Sequence, residues 1–74
     1  MPLVFAPKNV LVKVIKLLIK DEKIKRHLEN LGILLNSEFY VLSQSNGDII
    51  IRYKDTRLAL NKDTAVKILV KVMD

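Results

Sequence analysis

His27 is the only histidine in the chain, cysteine is absent, and the only glycines are Gly32 and Gly47. Catalysis by a nucleophile needs a base beside it, and a metal centre needs several convergent ligands. His27 has Lys23 one helical turn before it, a poor neighbour for a ligand, and Glu29 does not share its face. Ser37, Ser43 and Ser45 fall in strands or turns, where Ser37 is suited to bonding local backbone. Asp48, Asp55 and Asp63 occupy hairpin or capping positions, and two isolated glycines make no phosphate loop. No catalytic residue and no cofactor are evident. Glu29, Glu38 and His27 are the groups that could lend one or two ligands to a weak, water-rich site for a divalent ion.

The elements that would carry these residues follow from periodicity. Between residues 9 and 31, Lys13, Lys16, Lys20 and Lys23 recur at helical spacing, as on a long basic helix lying on a membrane or in a partner's groove. Against that reading, residues 10–19 are dense in Val and Ile, which prefer a pleated strand, and Asp21 is a helix cap placed in the middle of the pattern. We therefore expect a strand over 10–18 and a short helix over 22–31, with Ile24, Leu28 and Leu31 as its buried stripe and Gly32 as its left-handed stop.

Downstream the period changes to two. After a turn through Asn36, residues 38–45 alternate, with Phe39 inward and Tyr40 outward, and Ser45-Asn46-Gly47-Asp48 is a strong hairpin signal. Residues 49–53 form the next strand, with Ile49, Ile51 and Tyr53 on the inner face and Arg52 on the outer. Lys54-Asp55-Thr56 is a second tight turn, and residues 57–60 follow with Leu58 and Leu60 inward. Asn61 caps a single helical turn through Thr64-Ala65-Val66, and a last strand carries Ile68, Val70 and Val72. The pattern is mainly β with short helices: one domain over residues 1–74, wrapped as a small, partly open barrel of five to six strands with a helix inserted after the first long strand. Phe5 belongs to an N-terminal arm, and edge strands or a swap of that arm offer routes to a homodimer.

Net charge is +5, which favours anionic partners, but the cations are interleaved with apolar residues, and only Lys23, Lys25 and Arg26 approach a cluster. A nucleic-acid interface would need several exposed aromatics, whereas Tyr40 is the one that faces outward, so a nucleic-acid partner is not the primary expectation. The apolar start is broken by Lys8, Lys13 and Lys16, which argues against a membrane span and for a cytoplasmic location.

Residues 28–42, LENLGILLNSEFYVL, followed by GDIIIRYKDTRLALNKDTAVKILV, resemble the FeoA family of ferrous iron transport proteins A. The resemblance covers about residues 12–72 and rests on Leu28, Leu31 and Gly32, on Arg57, Leu58, Ala59 and Leu60, and on Ala65, Ile68 and Val70. Departures are Leu35-Asn36 where the family usually has Pro-Gly, Asp55 where a hairpin glycine is usual, and His27 at an often basic position. The resemblance implies an SH3-like barrel and a non-enzymatic accessory protein, docking on the cytosolic GTPase portion of a membrane ferrous iron transporter. It also leaves room for weak binding of ferrous or another divalent transition-metal ion. Leu34 and Leu35, with Tyr40 and Arg52, are the expected contact residues; the alternative for Leu34 is that it caps the barrel core.

Overall fold

In the computed structural model, which describes residues 1–73, the chain runs through a short 3-10 turn (Leu3–Phe5), β1 (Leu11–Leu17), α1 (Glu22–Leu31), β2 (Glu38–Ser45), β3 (Asp48–Tyr53), β4 (Thr56–Leu60), α2 (Lys62–Ala65) and β5 (Ile68–Val72). All pairings are antiparallel and the sheet order is β4-β3-β2-β1-β5. β4 and β5 close the sequence of strands without pairing to each other, so the barrel stays open at that seam and α2 connects its two sides.

The ambiguous stretch resolves as strand then helix. Val12 and Val14 are fully buried, and α1 begins where Asp21 accepts bonds from the backbone N–H groups of Lys23 and Ile24. Gly32 ends it at φ 89°, with the Ile33 N–H donating to the Leu28 carbonyl. Burial of β-branched side chains on one face of β1 outweighs the helical spacing of its lysines.

The core draws Phe39 and Val41 from β2, Ile49 and Ile51 from β3, Leu60 from β4 and Ile68 and Val70 from β5 onto Leu28 of α1. No buried polar side chain interrupts it among the described residues. Tyr53, Leu31 and Leu58 pack against it half-buried.

Several expectations are corrected. Ile24 does not join the helix stripe but is 39% exposed, because the short α1 is anchored chiefly through Leu28 and its first turn stands over a cleft. Leu34 does not cap the core; Ile33 does, fully buried, since the αL bend at Gly32 turns Ile33 inward. The strained residue of the second hairpin is Lys54, at φ 57°, and not Asp55. The helical turn after Asn61 begins at Lys62 and ends before Val66. The N-terminal arm that carries Phe5 is paired onto the sheet: Leu3 is fully buried, and the Val70 N–H donates to the Met1 carbonyl at 2.7 Å.

A Cβ built on Gly32 would stand 2.9 Å from Cε2 of Tyr53, at a backbone angle that L residues adopt reluctantly. Gly32→Ala should therefore cost about 1–2 kcal/mol from the left-handed backbone alone and more from displacement of the ring, read as a lowered urea midpoint with an unchanged slope. A midpoint equal to wild type would mean that the corner is not held as described.

Candidate functional site

Among the described residues no group of three His, Cys, Asp or Glu side chains converges to hold a metal ion. Glu29, Glu38 and His27 are not brought together: Glu38 begins β2 opposite Lys13, while His27 and Glu29 ride on α1. His27 is exposed and lines a cleft with Ile24, Leu60, Asn61 and Thr64, none of which supplies a carboxylate or thiolate. What the molecule offers is surface, in two forms.

The first is the turn from α1 into β2. Leu34 and Leu35 are 48% and 57% exposed, yet the backbone beneath them is tightly held. The Ser37 hydroxyl accepts from the Leu34 N–H at 2.9 Å and donates to the Gly32 carbonyl at 3.0 Å. Asn36 takes the positive φ of 72°, as the substitution for Pro-Gly requires, and its N–H donates to the Val14 carbonyl at 2.8 Å. The Val14 N–H in turn donates to the Ser37 carbonyl at 2.9 Å. Next to Val14, Ile15 is also exposed, a surface apolar residue that the sequence reading passed over although strand alternation points it outward. Exposed leucines on a pre-ordered turn lose little entropy on contact, which is what a docking anchor needs.

The second is the outer face of the sheet. Register places Arg57, Arg52, Tyr40 and Leu11 in one row across β4, β3, β2 and β1. The Arg52 guanidinium sits 5.2 Å from the centroid of the half-buried Tyr40 ring, a cation–π contact. The structure thus joins Tyr40 to Arg52, while Leu34 and Leu35 stand apart on the turn that leads into β2. Phe5, at the end of the N-terminal turn, is the most exposed aromatic and lies beside Val66 and Lys62, away from both features.

The model of the FeoA domain matches residues 1–72. No curated protein matches the sequence. Among solved structures, the FeoA-like protein of Clostridium acetobutylicum is 28% identical, with a TM-score of 0.82 over 99% of this chain and 86% of that one. Iron(II) transport protein A of Clostridium thermocellum is 23% identical with a TM-score of 0.86, covering 97% of this chain but only 45% of that one, so this chain spans less than half of that relative's length. FeoA of Stenotrophomonas maltophilia, solved with zinc and described as a prokaryotic SH3 domain protein and a candidate activating factor of ferrous iron transport, is 22% identical with a TM-score of 0.72, over 96% of this chain and 89% of that one. The fold is that SH3-like barrel, with five strands and a helix inserted after the first.

If Ser37 braces the turn, Ser37→Ala should cost about 1 kcal/mol and speed hydrogen exchange at the Leu34 amide by an order of magnitude while leaving the β3 amides slow. Unchanged exchange at Leu34 would show that the hydroxyl does not hold the turn.

Proposed function

The chain belongs to the FeoA domain family, and from that membership we propose that it is an accessory protein of ferrous iron uptake that acts by binding and not by catalysis. Its partner in this reading is the cytosolic GTPase portion of the membrane ferrous iron transporter, which sets its location in the cytoplasm. No helix of the described residues is long and apolar enough to cross a membrane, so attachment to the transporter would come through a docked surface. The observation that carries the reading is the exposed Leu34–Leu35 pair on a turn already fixed by Ser37, Asn36 and Val14. Such a pair presents apolar area without a folding cost at the moment of contact, and Tyr40 and Arg52 offer the aromatic and guanidinium groups over-represented at energetic centres of interfaces. A ferrous or other divalent ion would be a weak ligand in this scheme, held by single surface carboxylates or His27.

The test is retention of the transporter's cytosolic portion by immobilised protein. Leu35→Glu buries a charge at the contact and should weaken retention at least tenfold, with the thermal midpoint of the isolated variant close to wild type because the side chain is already exposed. Equal retention of the variant and the wild type would remove the patch from the interface.

A further inference from the structure

The sheet has two outer edges, and they are treated differently. Outside β5 the N-terminal segment stands in for a strand: Pro2 bridges Leu69, and the Val70 N–H reaches the Met1 carbonyl. β4 has no such cover. Tyr53 and Thr56 flank the two-residue turn Lys54–Asp55 and so form a hydrogen-bonded pair, as do Ile51 with Leu58 and Ile49 with Leu60. The N–H and C=O groups of Arg57 and Ala59 therefore aim away from β3, and no other backbone group among the described residues receives them. Natural edges are commonly blunted by shortness, charged side chains, proline, a bulge or a cover, and of these β4 has its five-residue length and Arg57. β4, reading TRLAL, has no proline, and its register with β3 runs without the shifts that interrupt β1–β5 and β2–β3.

What flanks this edge has a definite chemistry. On the inner side a cleft separates β4 from α1, with about 270 Å³ beside Ile24, His27 and Leu60 and about 330 Å³ beside Leu31, Tyr53 and Leu58. On the outer side Arg57 stands directly opposite Arg52 in a non-hydrogen-bonded pair, the closer of the two antiparallel arrangements, where like charges repel. The next residue across from Arg52 is Tyr40, so register supplies neither guanidinium with a carboxylate. Lys23 adds a cation at the cleft, whereas Glu29 and Asp55 stand towards the hairpin-turn end.

We propose that the free edge of β4 accepts an extended acidic segment of another protein as an added strand. The visitor's backbone bonds Arg57 and Ala59; its carboxylates, at alternate positions, lie over Arg52 and Arg57, and its intervening apolar side chains enter the cleft against α1. A second copy of this chain is the wrong occupant on charge grounds. It carries a net charge of +5 and would bring another Arg57 to an edge already crowded with cations. The inference rests on edge geometry and charge, and it holds whether or not Leu34 and Leu35 dock on a transporter.

The probe is an acetylated, amidated octapeptide alternating Glu and Val, titrated at low salt into the isotope-labelled full chain. Saturable shifts should centre on the Arg57 and Ala59 amides, and binding should weaken at least tenfold when Lys replaces Glu in the peptide. Only alternate peptide amides face β4, so of two peptides N-methylated at alternate positions, one should lose binding at least tenfold and the other should keep it. Ala59→Pro removes an outward donor without touching the ladder and should abolish binding; should that variant fail to fold, the N-methylated peptides make the same test on the wild-type chain. Any of four results would overturn the proposal. These are equal binding of both N-methylated peptides, shifts centred on Leu34 and Leu35, self-association through β4 in sedimentation without peptide, or a single-stranded oligonucleotide that shifts the Arg57 amide while the peptide leaves it unmoved.

Discussion

The corner at Gly32 is the constraint on which the rest of the molecule turns. Helix α1 must stop and the chain must reverse into β2 within a few residues, at a point where the Tyr53 ring occupies the space a side chain would need. Glycine alone supplies both the left-handed angle and the missing Cβ. The consequences spread from there. Ile33 is swung into the core, Leu34 and Leu35 are swung out of it, and Ser37 ties the two ends of the turn together through one hydroxyl. The corner also fixes α1 beside β4, with Leu28 as its anchor in the core.

Around that corner the sheet sorts the chain by side. The buried residues of its inner face are all apolar, from Val12 and Val14 through Phe39, Val41, Ile49 and Ile51 to Val70. On its outer face register sets Arg52 and Arg57, five residues apart in the sequence, directly opposite each other beside Tyr40. Bulges between Val14 and Lys16 and between Val41 and Ser43 twist the longer strands, as a barrel this small demands, and leave the short β4 straight. Such a scaffold has an apolar interior among the described residues, and what it presents outward is a hydrogen-bonded apolar turn, the Arg52–Arg57 pair and an open strand edge. The chain shares that division with a family associated with ferrous iron transport.

Local chemistry alone was enough to place most elements. Asp21 and Gly32 delimit α1, Asn46-Gly47 delimits the first hairpin, Asn61 starts α2, and each signal works through a bond or angle within a few residues of itself. The alternation of Phe39, Val41, Ile49 and Ile51 likewise declares its face without knowledge of any neighbour. The family resemblance was legible for the same reason, since the residues carrying it, among them Leu28, Gly32, Leu60, Ala65 and Ile68, are those that the fold needs.

Tertiary structure decided what depends on meeting a distant partner. Ile24 had the spacing of a core residue, yet only the distance between α1 and the sheet leaves it exposed. The N-terminal arm that carries Phe5 is tied down only because β5 gives it an edge to pair with. The left-handed strain of the second hairpin settled on Lys54 because strand register, and not residue preference, chose the turn's phase. The same holds for the candidate surface: the outward direction of Tyr40 and Arg52 is written in a period of two, but their contact, the adjoining Arg57 and the uncovered edge of β4 exist only once non-adjacent strands lie side by side. Hydrogen bonding and steric preference along the chain are short-ranged and so can be read from neighbours, whereas burial and cross-strand juxtaposition are properties of the closed fold.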